Sequence, residues 1–203
     1  MKIFENREAM IHFLLKEGMI GCELGVFAGE FAESLLRMKP KQLTLIDCWS
    51  GENGVLFSGD VDGNNGVSLS QEYLYGLVVS RFAENPRVKI LRGWTWEKIS
   101  EISDNSLDYV YIDADHSYEG MKRDLRLIVT KLKSDGFLMG HDYEMNFQKA
   151  KIPWKFGVRE AVDEFCKETD FELIAKAMDG CVSFCLQRRR DSFSSSTSTP
   201  ANL

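Results

Sequence analysis

Two of the three histidines in the sequence stand beside aspartates, and their spacing is the first feature that suggests chemistry. Asp113-Ala114-Asp115-His116 and His141-Asp142 are separated by one helical pattern and one short apolar run. In a parallel sheet that separation returns the chain to the neighbouring strand on the same rim. Asp113, His141 and Asp142 meeting there have the donors for a divalent cation in an open octahedral site, with positions left for water or substrate. Hard oxygen donors favour magnesium, with manganese or calcium as alternatives. The same residues also have a plainer use, with Asp113 capping the following helix and His141 packed beneath a loop.

A second group lies earlier, in Glu23-Leu24-Gly25-Val26-Phe27-Ala28-Gly29. Gly25 and Gly29 let a ligand approach the backbone closely, and the helix beginning near Phe31 aims its free N–H groups at that point. The spacing does not meet the G-x-G-x-x-G dinucleotide pattern, and an acid at the strand end suits a ligand with a positive group. Asp47 closes the next strand, at roughly the 20-residue separation expected between a glycine turn and a ribose-binding acid. Glu23-x-Gly25-x-x-x-Gly29 followed by Leu45-Ile46-Asp47 resembles the S-adenosylmethionine site of class I methyltransferases. That resemblance implies that Glu23, Gly25 and Gly29 cradle the methionine end and that Asp47 binds the ribose hydroxyls.

The elements that must position these groups can be read from periodicity. Met10, Phe13 and Leu14 predict a short amphipathic helix over 5–17 that stops at Gly18, with His12 as a surface side chain. Strands follow up to Leu24 and over 43–47, then a glycine-rich stretch over 48–67 that is too long for an ordinary connection and reads as a lid or as an insertion without a role. Ser68 to Gln71 offers a capping-box start for a helix reaching Phe82. After a strand over 88–91, Trp94 or Trp96 is placed to stack on an adenine, or equally to pack in the core. Leu107 to Ile112 reads as a central parallel strand. Met121, Leu125, Ile128 and Leu132 predict a helix closed by Asp135-Gly136, and a strand over 137–139 precedes Gly140-His141-Asp142-Tyr143. A basic, aromatic loop over 144–157, a helix over 158–169 and an antiparallel pair around Met178-Asp179-Gly180 complete the pattern.

The fold class is therefore α/β: a doubly wound, Rossmann-like sheet, mostly parallel, with a C-terminal antiparallel strand and ligands at the carboxyl ends of the strands. One domain is expected over 1–187, and a disordered Arg/Ser/Thr-rich tail over 188–203. The 203 residues, 44% of them hydrophobic, are enough for a two-sided sheet core. No apolar run approaches the ~18 residues of a membrane span, so a cytoplasmic protein without membrane partners is expected. Five cysteines with no C-x-x-C pair read as reduced thiols. The net charge of −6 disfavours nucleic acid as a partner.

Tyr111 to Gly120, the Gly140-His141-Asp142-Tyr143 block and Gly157-Val158-x-x-Ala161-Val162 resemble the metal-dependent small-molecule O-methyltransferases, including the macrocin-like macrolide-sugar and the aminocoumarin-sugar enzymes. The resemblance covers about residues 18–187. It implies that Asp113, His141 and Asp142 hold the metal, with His141 standing where relatives often carry an acid, and that Asp115 or His116 is the base. Asp113 also lines the cofactor site, and Trp94 faces the adenine. The expected reaction moves a methyl group from S-adenosylmethionine to a hydroxyl of a sugar or related natural product. A short N-terminal helix without a full substrate cap is consistent with a homodimer. Two rival readings are a metal-dependent hydrolase built on the same Asp/His cluster, and a nucleotide-binding scaffold without catalysis.

Overall fold

Leu107–Ile112 becomes the strand expected from its apolar run, and its neighbours on either side carry both chemical clusters. The computed structural model describes residues 1–50, 70–145, 156–178 and 180–189. Most of the expected lid over 48–67, most of the loop over 144–157, Asp179 and the tail from 190 lie outside the described residues.

In chain order the elements are β1 (Lys2–Phe4), α1 (Arg7–Leu14), β2 (Ile20–Leu24), α2 (Glu30–Arg37), β3 (Gln42–Asp47), α3 (Gln71–Phe82), β4 (Val88–Arg92) and α4 (Thr95–Lys98). A 3-10 turn, Ile99–Glu101, leads on to β5 (Leu107–Ile112), α5 (Tyr118–Ile128), β6 (Leu132–Met145), α6 (Val158–Glu168), β7 (Phe171–Ala177) and β8 (Cys181–Arg188). The eight strands form one sheet in the order β1-β7-β8-β6-β5-β2-β3-β4. Among the described residues the antiparallel pairs are those of β8 with β6 and with β7. Alternate residues of the inner strands serve opposite faces. Val110 and Ile112 pack with Met121, Leu125 and Val162 of α5 and α6, whereas Tyr109 and Tyr111 pack with Met10, Leu35 and Val78 of α1, α2 and α3.

The structure adds one strand to the expected pattern and moves the bounds of four elements, α1, α3, α5 and β6. β1 lacks any periodic signature because it is three residues long, yet it adds an edge strand parallel to β7, with Lys2 opposite Ala175. The first helix is shorter than 5–17, capped by the Asn6 side chain accepting from the Ala9 N–H at 2.8 Å. The cap of α3 is Ser70, whose hydroxyl accepts from the Tyr73 N–H, and not Ser68. Finally, α5 ends at Ile128, and Leu132 opens β6 opposite Leu107. Leu132 fits the helical spacing by accident, since a strand residue facing the same core satisfies the pattern equally well. β6 also continues through Asp135-Gly136 and past His141 to Met145, with a register shift between Gly140 and Glu144.

Candidate cofactor cavity and adjoining acidic cluster

β2 pairs with β3 on one side and β5 on the other, so the winding of the sheet reverses between β2 and β5. A doubly wound sheet leaves a crevice at such a point, outside the carboxyl ends of its strands. A cavity of about 610 Å³ lies there, and Glu23, Gly25, Asp47 and Asp113 are among the residues that line it. That volume is in the range of small-molecule sites.

The glycine turn is built for close approach. Gly25 has φ +82°, and a Cβ at this position would lie 2.0 Å from the Asp113 carbonyl oxygen, so β2 and β5 cannot diverge around any larger residue. Gly29 caps α2 with φ +87° and no side-chain hydrogen bond. Glu23 is 1% exposed and its Oε2 has no hydrogen-bond partner among the described residues. Burial, reinforced by the charge of Asp113, pushes its carboxyl well above the usual range, while Arg7 pulls it back. A buried carboxyl with an unsatisfied oxygen facing a cavity fits a cationic ligand, so the residues present suit the charge of S-adenosylmethionine.

Asp47 does more than the sequence suggests. Its Oδ2 accepts from the Val26 and Phe27 N–H groups at 2.8 and 2.9 Å, and its Oδ1 accepts from the Trp49 N–H at 2.9 Å. The carboxylate therefore holds the glycine turn in shape. It lines the cavity with about one acceptor direction of its four left over.

Beyond Asp47, at the end of β4, Trp94 and Trp96 stack on each other with centroids 4.8 Å apart and planes 11° from parallel. They are 43% and 39% exposed, so neither belongs to the core, and both line the cavity. The Arg123 guanidinium lies 4.0 Å over the Trp96 ring and extends the stack. The nearby Thr95 hydroxyl donates to buried Asp124 at 2.8 Å.

On the β5 side the acidic cluster assembles. Asp113, His141 and Asp142 present ligand atoms within 4.8 Å of one another, so the three expected metal ligands converge among the described residues. Two carboxylates and an imidazole at that separation fit a divalent cation. Asp142 takes φ +57° in the irregular stretch of β6. It is 6% exposed, and although burial works to raise its pKa, the His141 hydrogen bond and the His116 charge hold it below the ordinary value. The imidazole Nδ1 of His141 lies 3.2 Å from Asp142 Oδ2.

The two base candidates separate in space. His116 places Nε2 3.0 Å from Asp142 Oδ2 and 3.1 Å from Asp113 Oδ1. Burial alone would lower its pKa, but the Asp113 hydrogen bond and the flanking carboxylates raise it overall. The ring is backed by Phe156 at 4.8 Å, and the Gly157 N–H donates to the His116 carbonyl at 2.9 Å. Asp115, in contrast, accepts from the Ser117 N–H at 2.9 Å and approaches Arg123 at 3.9 Å, which makes it part of the turn into α5.

Sequence reasoning passed over Arg7. It sits in the first turn of α1, stacked over Phe31 at 4.4 Å and 3.7 Å from Asp113 Oδ2, and it lines the cavity. No spacing rule points to it, because its partners lie far along the chain. The five cysteines form no disulfide among the described residues, and Cys22 and Cys185 are buried.

No curated protein matches the sequence. Solved structures share the fold. The O-methyltransferase from Bacillus cereus in complex with SAH superposes with a TM-score of 0.59 at 14% identity, covering 88% of this chain and 76% of that one. The O-methyltransferase NovP gives 0.57 at 20% identity over 85% and 72%, and an rRNA methylase from Streptococcus thermophilus gives 0.59 at 11% over 90% and 94%. The family described as a methyltransferase domain matches residues 19–143, which run from the start of β2 through both chemical clusters. With most of its sequence inside that match and the doubly wound sheet around it, the chain belongs to the methyltransferase domain family, as a class I S-adenosylmethionine-dependent methyltransferase.

Proposed function

We propose that the protein methylates a hydroxyl group of a small molecule, a sugar or related natural product, with a divalent cation held by Asp113, His141 and Asp142. The observation that carries this reading is the convergence of those three residues, with His116, beside a cavity that Glu23 lines. S-adenosylmethionine supplies a methyl group already activated by its positive sulfur, and a divalent cation, magnesium by donor type, lowers the pKa of a hydroxyl bound to it.

Glu23 meets the cationic end of the cofactor, Asp47 holds the glycine turn and offers its remaining acceptor to the ribose, and Trp94 flanks the adenine. His116 is the base, taking the hydroxyl proton, since it faces the cluster while Asp115 is engaged in a helix turn. Asp113 and Asp142 orient the imidazole. Two of the structural neighbours are O-methyltransferases by description, and the chain's negative charge argues against RNA as the acceptor.

The test is a screen of hydroxylated acceptors with S-adenosylmethionine, reading S-adenosylhomocysteine formation with magnesium or with chelator. Turnover that stops on chelation, returns with magnesium and falls by about 10²–10⁴ in His116→Gln is expected. Methylation of a hydroxyl at an unchanged rate in chelator would remove the cation from the reading. Methylation of RNA but of no small acceptor would overturn the substrate class.

A further inference from the structure

The acidic cluster holds a nitrogen donor among its oxygens. His141 Nδ1 lies 3.2 Å from Asp142 Oδ2 and 3.9 Å from Asp113 Oδ2. Donors about 2.1 Å from an octahedral ion lie roughly 3 Å from their neighbours in its shell, so this nitrogen is spaced to share an ion with the two carboxylates. The ring is also held in place. Its side chain is 17% exposed, and β8 pairs with β6 on either side of it, at Gly140–Phe184 and Glu144–Val182. A donor carried on a paired strand keeps its position better than one on a loop.

We propose that His141 sets the metal selectivity of the centre, so that it takes a first-row transition ion between iron(II) and zinc(II) in preference to magnesium. The proposal rests on the cation reading above and narrows it to a class of ion. Carboxylate oxygens alone suit magnesium, calcium or manganese, whereas an imidazole nitrogen suits the later transition ions. Asp113, Asp142 and His141 make a mixed set, two oxygen donors and one nitrogen. Magnesium still fills such a centre when it is in excess.

Charge works in the same direction. Magnesium is held by charge and gives up its water reluctantly. The set offers it two carboxylates and an imidazole that is neutral when it ligates. Arg7 adds a fixed positive charge 3.7 Å from Asp113 Oδ2, and its guanidinium is held there by a hydrogen bond to Tyr111 and by stacking over Phe31 at 4.4 Å. That charge opposes every divalent ion alike, so the bond to nitrogen is what separates them. Two further side chains meet the same carboxylates but stand outside the converging set: His116, at 3.0 and 3.1 Å, and Cys181, whose thiol hydrogen-bonds Asp142.

The experiment titrates the full chain by calorimetry with Co²⁺ alone and with Mg²⁺ alone, without cofactor, in native protein and in His141→Asp. Native protein should bind Co²⁺ more tightly, and the ratio of the two affinities should fall by about tenfold or more in the all-carboxylate variant. Proton NMR of the Co²⁺-loaded native protein should show the strongly shifted, solvent-exchangeable ring N–H of a ligated histidine, and His141→Asp should lack it. If both ions weaken together in the variant and the ratio holds, His141 is a structural residue and the proposal is overturned. A shifted N–H that persists in His141→Asp would make His116 the ligand, and a ratio that falls only in Cys181→Ser would place the soft donor at the thiol; either overturns it. Native protein that binds Mg²⁺ as tightly as Co²⁺ keeps the cation reading and sinks the selectivity, whereas native protein that binds neither ion removes both.

Discussion

Glu23 sets two demands against each other. Its folded-state pKa is raised by burial, so between the unfolded value and the raised value the folded protein holds a proton that the unfolded chain has lost. Stability contributed by this group is present at low pH and declines as pH rises through that window, by about 1.4 kcal/mol for each pH unit. Glu23→Gln removes the decline. Denaturant unfolding of the variant and the native protein should therefore diverge with rising pH, the variant becoming the more stable. The same substitution should weaken S-adenosylhomocysteine binding by on the order of tenfold or more, because the ammonium loses its counter-charge. A variant less stable than native throughout the range would show that Glu23 has an internal partner. At this scale the sequence was legible where strand ends carry acids: Asp113, His141 and Asp142 come together as read. Arg7 was illegible because a lone basic residue on an amphipathic helix has no local signature, and Asp115 and His116 could not be told apart because adjacent residues share one spacing and only the turn geometry separates them.

At the level of elements, the glycine turn and Asp47 behave as one unit. Three backbone N–H groups depend on a single carboxylate, so Asp47→Ala should cost about 1–3 kcal/mol of unfolding free energy in addition to cofactor affinity. Asp47→Asn keeps one acceptor oxygen and should retain part of both. Thermal melts and ligand titrations on the two variants check this, and an Asp47→Ala protein as stable as native would mean that the turn holds its shape without the side chain. Strand and helix identities were largely legible, since alternation and the 3.6-residue period follow directly from which face is buried. Ends were less so. The helix over Met121 to Leu132 was read one segment too long because Leu132, in β6, faces the same core as Ile128. The strand carrying His141 and Asp142 was read too short because β8 pairs with it beyond the parallel region, a long-range partnership that no local window contains.

For the molecule as a whole, the order of βα units predicted the doubly wound sheet and the rim that bears the site, because right-handed crossovers leave few alternatives. What the pattern did not contain was the edge: β1 docks on β7, and α1 follows from it. Among the described residues no helix is long and apolar enough to cross a membrane. Deleting residues 1–6 removes β1 and the Asn6 cap while leaving Arg7 in the chain. The truncated protein should melt only slightly below native, since three edge residues pair on one side alone, yet bind S-adenosylhomocysteine more weakly than native, because α1 brings Arg7 to the cavity wall. Binding equal to native would show that α1 keeps Arg7 in position unaided.

The pairing of Lys2–Phe4 with Ala175–Ala177 also joins distant parts of the sequence into one support. β1 leads into α1, whose Arg7 lines the cavity, while β7 lies beyond β8 and β6 in the sheet. A segment carrying β2 to β5 has the glycine turn, Asp47 and Asp113, but it lacks the strand on which β1 is seated. Damage to the β7 edge, far from the strand ends that bear the site, should therefore be felt at the Arg7 wall of the cavity.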